Sequence, residues 1–399
     1  MRVNQLHDPA RQANYLRQCL ATDKMCIGLF LGAGCPYSIK VENCGKMIPL
    51  IPDIGGLTQT ICDKMNESRD YKKSFTKVLS NFKKDGHGNP NIEDILTHIR
   101  SLEQVAGTDS VRGLNADQLI ELDKHICNEI SILMKKSLPD TKSPYHKIAS
   151  WIGAIHRDSA IQIFTTNYDL LMEQALEDFR VPFFDGFSGS FHPFFDPQTM
   201  EEDDLPPRWV RLWKLHGSIN WRLESHENVT RSEELEVAQM RIIYPSHLKY
   251  TESRKMPYFA MMDRLRALFK KQSILITSGY SFQDQHINQT LMEGIKSNPK
   301  SNIFALLYGK LESYPQAISL SSTNPNLSLL ALDEAVIGTK RASWIEQKEE
   351  DLTEIPYAVD WIDTINSEYI LNKQAQFKLG DFMNFGSFLA DMIGDSKLF

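Results

Sequence analysis

The sequence contains few cysteines, and all of them lie in its first third. There are six, and no two of them form a CxxC pair. They are Cys19, Cys26, Cys35, Cys44, Cys62 and Cys127. Structural zinc ribbons are built from CxxC pairs, so the spacing argues against such a site, and we expect no metal. Reduced thiols are typical of the cytoplasm, where we expect this protein to reside.

Long apolar runs and an excess of basic residues are also missing. No apolar run reaches the roughly 20 residues that a membrane-spanning helix needs, so we expect no membrane association. The sequence begins with the largely polar stretch Met-Arg-Val-Asn-Gln, so we expect no secretory signal. The formal net charge is −7. Because nucleic-acid binding gains affinity by neutralising phosphates, this charge argues against direct nucleic-acid binding.

The chain does contain a series of apolar segments that alternate with helical patterns. The expected strands are residues 26–31, 159–165, 209–215, 273–277, 303–308 and 327–332. This alternation predicts an α/β fold with a doubly wound, Rossmann-like parallel sheet. Residues 57–138 are expected to form a helical insertion within a domain that spans residues 1–355. Residues 356–399 are predicted to be a C-terminal helical segment.

The first expected strand runs directly into Gly32-Ala33-Gly34. Glycines at such a turn allow the backbone to close on a pyrophosphate, and the amides that open the next helix attract anions. The third glycine of a GxGxxG fingerprint is absent, because Tyr37 occupies its place. The alternative is therefore a plain strand–turn–helix unit with small residues.

Small or polar residues follow four of the expected strands. The four segments are Gly32-Ala33-Gly34, residues 165–169 (Thr-Thr-Asn-Tyr-Asp), residues 215–221 (Leu-His-Gly-Ser-Ile-Asn-Trp) and residues 279–286 (Gly-Tyr-Ser-Phe-Gln-Asp-Gln-His). Each polar residue taken alone could cap a helix, and this holds above all for Ser281 and Asp284. In a doubly wound sheet, however, ligands bind at the carboxyl ends of the strands. The four segments together therefore indicate a binding site.

In their order, these four segments resemble the sirtuin superfamily, over roughly residues 25–335. The resemblance implies a sirtuin-type fold and NAD as the ligand. It implies that the glycine loop binds the dinucleotide phosphates, that the second segment lines the nicotinamide ribose and that the Gly-x-Ser turn holds the adenosine side. The implied catalytic residues are Asn167, Asp169 and His216. The implied cofactor-binding residues are Gly32, Ala33, Gly34, Cys35, Asp53, Thr166, Gly279, Ser281 and Asp284.

The sequence also departs from the protein-deacylating sirtuins. Their four-cysteine zinc module follows the catalytic His-Gly, whereas here no cysteine occurs after Cys127. Their Ile-Pro-Asp-Phe-Arg segment corresponds to residues 51–55 (Ile-Pro-Asp-Ile-Gly), which lack the arginine. Since the zinc module forms one wall of the acyl-lysine cleft, its absence disfavours peptide deacylation. The part of the family pattern that binds and cleaves NAD remains.

Hydrolysis of NAD is the reaction that these residues favour. The nicotinamide–ribose bond breaks through an oxocarbenium-like state, which needs an oriented sugar, nearby oxygen acceptors and a water molecule. Histidine is the residue type that ordinarily serves as a base near neutral pH, so His216 is the best candidate for the general base, although it could instead be a buried structural histidine. Asn167 can hold the ribose hydroxyls or the water, and Asp169 can support the developing charge. Cys35 has no neighbouring histidine in the sequence and is interpreted as a small packing residue.

Among sirtuin-like chains, those without zinc that carry these segments look like bacterial anti-phage effectors that deplete NAD. The resemblance implies a HerA-type hexameric ATPase as partner. We therefore predict an NAD hydrolase that releases ADP-ribose and nicotinamide. The alternatives are a protein deacylase or ADP-ribosyltransferase, and a scaffold that senses NAD or ADP-ribose without catalysis.

Apolar residues beyond the last expected strand suggest how the chain assembles. They are Tyr357, Trp361, Tyr369, Phe377, Phe382, Phe385, Phe388 and Leu389. They are expected either to cover the sheet or, as an alternative shared with the helical insertion, to form a homo-oligomer interface on which the ATPase docks.

Overall fold

The computed structural model describes most of the chain. The described residues are 6–86, 88–106, 109–139, 142–223, 229–232, 240–242, 257–347, 355–365 and 371–394. The strands in chain order are β1 (Cys26–Leu31), β2 (Lys40–Asn43), β3 (Lys46–Pro49), β4 (Gln162–Thr165), β5 (Phe183–Phe184), β6 (Phe187–Ser188), β7 (Phe194–Phe195), β8 (Val210–Lys214), β9 (Gly217–Leu223), β10 (Val229–Arg231), β11 (Met240–Ile242), β12 (Ser273–Ser278), β13 (Asn302–Leu306), β14 (Leu327–Leu330), β15 (Glu334–Ile337), β16 (Lys340–Ser343), β17 (Glu346–Gln347), β18 (Val359–Ile365) and β19 (Leu371–Phe377).

Helices pack around these strands. In chain order they are α1 (Pro9–Ala21), α2 (Gly34–Ser38), α3 (Ile54–Glu67), α4 (Lys72–Lys84), α5 (Ile92–Ala106), α6 (Ala116–Met134), α7 (Pro144–Ala154), α8 (Leu171–Asp178), α9 (Pro197–Glu202), α10 (Tyr258–Leu268), α11 (Gln285–Ser297), α12 (Pro315–Ser321) and α13 (Phe382–Met392). None of the helices in the described ranges is both long enough and apolar enough to cross a bilayer.

The central sheet confirms the predicted α/β fold. Its strand order is β16-β15-β14-β13-β12-β1-β4-β8-β5. All neighbours from β14 to β5 are parallel, and β15 and β16 extend one edge as an antiparallel pair. Read from β8 to β14, the order is the 3-2-1-4-5-6 arrangement of the doubly wound Rossmann fold. The order reverses between β1 and β12, and this reversal creates a crevice at the carboxyl ends of the two strands.

The central strands β1 and β12 are buried along their whole length because the sheet is covered on both faces. Every residue of β1 is buried, and so is every residue of β12. A strand with two covered faces needs a continuous apolar run instead of an alternating pattern. Gly28 in β1 leaves room for neighbours, since a Cβ there would lie 2.7 Å from Leu275 Cδ1.

Four helices, α3 to α6, lie between β3 and α7, in the region where a helical insertion was expected. Its helices pack on one another through apolar positions that recur at helical spacing, such as the buried Leu57, Ile61 and Met65 on α3. Asn115 begins α6 with a capping box that includes Gln118. The bounds differ from the expected 57–138 by a few residues at each end.

The C-terminal segment differs from the expected run of helix. Among its described residues only α13 is helical, whereas β18 and β19 form an antiparallel hairpin to which β17 adds a third strand. Ala375 and Phe377 are buried on alternate positions of β19. That alternation has the period of a strand, and cross-strand pairing with Trp361 and Val359 satisfies the backbone.

Candidate functional site

Two turns meet at the crevice between β1 and β12. We call residues 32–34, which follow β1, the glycine turn. The Gly32 amide donates a hydrogen bond to the Ser278 carbonyl (2.9 Å), and the Gly34 amide donates one to the Gly279 carbonyl (2.9 Å). A Cβ on Gly32 would lie 2.3 Å from Gly279 O, and one on Gly34 would lie 2.7 Å from Gly279 Cα. The glycines are therefore needed because another backbone approaches them closely.

The hydrogen bonds of the glycine turn leave few of its amides for a ligand. Besides the two amides just described, the Cys35 amide donates to the Gly32 carbonyl at 3.0 Å. Ala33 takes no part in these bonds and is exposed. The following helix, α2, has five residues. If the turn holds a phosphate as expected, the Ala33 amide is therefore its most accessible donor.

Cys35 is fully buried beneath the glycine turn. Its thiol donates to the Ser278 carbonyl at 3.3 Å. Burial raises the pKa of the Cys35 thiol far above its usual range. A thiol that stays protonated is a poor nucleophile, so this geometry suits a packing residue.

The loop after β4 is tied to the glycine turn. The Thr165 hydroxyl donates to the Leu31 carbonyl (2.8 Å) and accepts from the Asn167 amide (3.0 Å). The Asn167 side-chain amide donates to the Gly32 carbonyl at 3.0 Å. Asn167 is thus held beside the turn from both its backbone and its side chain. Thr165 belongs to the second polar segment of the sequence but had no role assigned to it, although a threonine at the last position of a buried strand is a signal for such a bond.

Tyr145, on α7, is a second residue for which the sequence indicated no role. Its side chain is buried, and among the described residues its hydroxyl has no hydrogen-bond partner. Burial raises the pKa of the Tyr145 hydroxyl well above its usual value, and the nearby Asp169 and Cys35 raise it further. The neutral hydroxyl therefore faces the same group of residues from the helical side. A tyrosine within an apolar helix gives no sequence signal that distinguishes this position from ordinary core.

Asp169 lies in a buried cluster of charges with two further residues, Lys214 and Glu173. The Asp169 carboxylate accepts a hydrogen bond from the Leu171 amide at 3.1 Å, and its main-chain carbonyl accepts one from Lys214 Nζ. Lys214 also pairs with Glu173 at 2.8 Å, and its side chain is 2% exposed. Burial raises the pKa of Asp169 to about 6, although the charge of Lys214 opposes the rise. The carboxyl of Asp169 thus points into the protein and supports the loop.

His216 lies in the short turn between β8 and β9. Gly217 allows this turn, because its φ of +91° lies in the region that favours glycine. The preceding Leu215 amide donates to the Thr165 carbonyl at 2.8 Å. His216 Nε2 lies 3.2 Å from Asp284 Oδ2, and the two side chains are 12% and 10% exposed. The sequence places these residues 68 positions apart, and the fold makes them partners.

The third turn of the site follows β12 and contains Gly279, Ser281 and Asp284. Gly279 has a φ of +64°, which lets it lie against the glycine turn. Ser281 is exposed. Asp284 caps α11 by accepting from the His286 and Ile287 amides, as the sequence suggested. It contacts His216 as well, which the cap alone did not predict.

Asp53 and Thr166 are among the expected site residues that are not connected to this network. Asp53 is exposed and caps α3, with its carboxylate 2.8 Å from the Gly56 amide. Thr166 is half-buried next to Thr165. In the described ranges no hydrogen bond or ion pair joins either residue to the other site residues. Nor do those ranges contain a group of three or more histidine, cysteine or acidic residues placed to hold a metal ion.

Two of the comparisons with known proteins find similarity to Sir2 proteins. Residues 161–325 match the family model described as "SIR2-like domain", which is less than half of the chain. Among solved structures, a Sir2 homologue in complex with NAD is 13% identical, with a TM-score of 0.40, over 82% of this chain and 91% of its own. A Sir2 homologue mutant in complex with 2′-O-acetyl ADP-ribose is 12% identical, with a TM-score of 0.36, over 74% of this chain and 84% of its own. No curated protein sequence matches the chain.

Proposed function

We propose that this protein hydrolyses NAD to ADP-ribose and nicotinamide. The observation that carries the proposal is the pairing of His216 with Asp284 at the carboxyl edge of the sheet, where the strand order reverses. Ligands of doubly wound sheets bind at that edge. The SIR2-like segment includes both residues, and the solved Sir2 homologues named above are complexes with NAD or an ADP-ribose derivative.

The reaction needs one water and one base. As the bond between nicotinamide and ribose breaks, its electron pair moves to the pyridine nitrogen and positive charge develops on the sugar. Water attacks the anomeric carbon from the open face and gives its proton to the imidazole of His216. The products are nicotinamide, ADP-ribose and the proton that the imidazole later returns to solvent. No electrons are gained or lost.

Asn167 and Asp169 support this reaction in different ways. Asn167 stands beside the glycine turn with its side-chain nitrogen committed to the Gly32 carbonyl. In our proposal its side-chain oxygen faces the ribose. Asp169 is buried and bound to the Leu171 amide. We therefore assign Asp169 to the support of the loop that carries Asn167. The glycine turn holds the dinucleotide phosphates, and Thr166, Ser281 and Asp53 remain candidates for the ribose and adenosine contacts.

A single assay separates this function from its alternatives. Purified protein is incubated with NAD, with and without an acetylated peptide, and nicotinamide release is measured. Release without peptide supports hydrolysis, whereas release only with peptide would indicate a deacylase or an ADP-ribosyltransferase. Binding of NAD without turnover would indicate a sensing scaffold. Activity is expected to survive dialysis against EDTA, and zinc-dependent recovery after such dialysis would contradict the metal-free mechanism.

We further propose that the hydrolase acts in the cytoplasm as an anti-phage effector, as a homo-oligomer beside a HerA-type ATPase. This part rests on the sequence resemblance. The interface expected at residues 356–399 needs correction, because the aromatic residues there are mostly in the core. Phe377, Phe382, Phe385, Phe388 and Leu389 are buried, Trp361 is half-buried, Tyr357 is exposed, and Tyr369 lies outside the described residues.

The helical insertion is the better candidate for that interface. Val105 and Ile132 are 66% and 47% exposed on its surface, and Ile54 at its start is 42% exposed. Light scattering at micromolar concentration tests the oligomer, and a clean monomer would contradict it. Co-purification with a HerA-type ATPase, with and without charge substitutions at Val105 and Ile132, tests the docking.

A further inference from the structure

We propose that Asp284 is the positioning residue for His216, and that it fixes the imidazole in the one tautomer that can accept a proton from water. This assignment rests on the proposed hydrolysis of NAD. It also changes the role of Asp284, which the sequence resemblance placed among the cofactor-binding residues.

The two oxygens of the Asp284 carboxylate have different partners. Oδ1 accepts hydrogen bonds from the His286 amide at 3.0 Å and the Ile287 amide at 3.2 Å. Oδ2 faces His216 Nε2 at 3.2 Å. The start of α11 therefore locks the carboxylate in place, and the oxygen that remains is aimed at the imidazole. With only 10% of the side chain exposed, solvent competes little for that oxygen.

The loop that carries Asp284 is itself held firmly. The Tyr280 hydroxyl donates to Asn288 Oδ1 at 2.8 Å, and Asn288 Nδ2 donates to the Phe282 carbonyl at 2.7 Å. Phe282 has a φ of +60° and is fully buried. A bulky residue in the left-handed region is strained, and such strain persists only where the surroundings fix it. Loops with this kind of constraint are typical of sites that need precise geometry.

The chemistry follows from which nitrogen faces the carboxylate. When Nε2 carries the hydrogen and donates it to Asp284, Nδ1 is left with a lone pair that can accept a proton. The carboxylate then stabilises the imidazolium that forms, while Asp284 itself stays ionised. The proton therefore moves from water to His216 Nδ1. Asp284 touches neither the water nor the sugar.

The substitution Asp284→Asn separates this role from helix capping. Asparagine caps a helix about as well as aspartate does, so the start of α11 is preserved. The negative charge is lost, and the amide no longer selects the Nε2–H tautomer. Asp8→Asn is the matched control, because Asp8 caps α1 in the same way, with Oδ1 accepting from the Ala10 amide at 2.9 Å and the Arg11 amide at 3.1 Å.

We expect Asp284→Asn to lower kcat for nicotinamide release by at least about tenfold, with KM changed less than about twofold. Asp8→Asn should leave both constants unchanged. An equal kcat for wild type and Asp284→Asn would overturn the assignment and leave NAD hydrolysis standing. A rise in KM with unchanged kcat would return Asp284 to the cofactor-binding residues.

A second measurement does not depend on activity. In protein labelled with ¹⁵N-histidine, the His216 signals are assigned by their loss in His216→Ala. We expect the wild type to show the Nε2–H tautomer alone, and Asp284→Asn to show a mixture or the other tautomer. Identical ¹⁵N shifts in the two proteins would overturn the positioning role. If the wild type showed the single tautomer but released no nicotinamide, the proposed function would fail while the pairing of the two residues stood.

Discussion

The glycine turn and the His216 turn both follow strands of the central sheet, but the first is held by backbone contacts and the second by side-chain contacts. The glycine turn is made of backbone, with its Gly32 amide bound to the carbonyl of Ser278 at the end of β12 and its Gly34 amide bound to the carbonyl of Gly279 in the turn that follows. The His216 turn is made of side chains, with His216 paired to Asp284. The first depends on the absence of Cβ atoms, and the second depends on two particular side chains.

Because of this difference, we expect substitutions in the two turns to affect different properties of the protein. Changes in the glycine turn act on packing and binding, because the turn after β12 lies directly against it. Changes at His216 are expected to act on the chemical step, because its imidazole is paired with the Asp284 carboxylate and is the proposed base. Asn167 lies between the two, since its side chain reaches the Gly32 carbonyl.

The largest effect is expected from loss of the base. His216→Ala should lower the rate of NAD cleavage by about 10²–10⁴-fold and leave ADP-ribose binding unchanged. Asn167→Ala should lower both, because it also releases the glycine turn. Nicotinamide release and calorimetric titration with ADP-ribose measure the two quantities, and circular dichroism confirms folding. Wild-type turnover in both folded variants would contradict the site assignment.

The next effect concerns the pH dependence of stability at Asp169. Its pKa rises from 3.8 to about 6 on folding. Above about pH 4 the unfolded chain loses this proton while the folded protein keeps it, so the free energy of unfolding falls as pH rises to about 6. The loss is about 3 kcal/mol for a rise of about two pH units. Asp169→Asn removes it, so the variant should exceed the wild type in stability above pH 6 and match it near pH 4.

Urea unfolding between pH 4 and pH 7 measures the Asp169 effect. Glu173→Gln provides the control. We expect it to lower the free energy of unfolding, because it leaves Lys214 with less compensating charge in the interior. A difference between wild type and Asp169→Asn that does not change with pH would show that Asp169 titrates normally.

A smaller effect is expected where the glycine turn meets Gly279. Gly34→Val should lower the free energy of unfolding by about 1–3 kcal/mol, because its Cβ would lie 2.7 Å from Gly279 Cα. Gly88→Val is the control, since nothing lies within 4 Å of a Cβ at that position. Chemical denaturation compares the two variants. Equal stability of the two variants would contradict the close contact between Gly34 and Gly279.

The smallest effect tests whether the turn binds phosphate through one amide. Ala33 has a φ of −62°, which proline can adopt, so Ala33→Pro removes the amide hydrogen with little change in φ. We expect ADP-ribose to bind about tenfold more weakly, in line with the loss of one hydrogen bond to a charged group. Ala33→Ser keeps the amide and should bind normally. Equal affinity of the two variants would exclude Ala33 as the donor.

Local patterns in the sequence were enough to predict β1, β4, β8, β12, β13 and β14, which are six of the nine strands that the described residues contribute to the central sheet. The continuous apolar runs at 26–31 and 273–277 indicated buried parallel strands because both faces of such a strand need apolar residues. The expected helix at 356–399 was wrong over β18 and β19. Strand pairing there joins residues such as Val359 and Phe377, and pairs of this separation leave only a weak local pattern.

The sequence by itself determined which residue types stand at the ends of the strands, and therefore where a site would form. Only the tertiary structure decided what each of them touches. It tied the amides of Gly32 and Gly34 to the carbonyls of Ser278 and Gly279, and it paired Asp284 with His216. The physical reason is that residue type and spacing fix the local backbone. Hydrogen-bond partners and burial instead depend on strands that are distant in the chain and adjacent in the sheet.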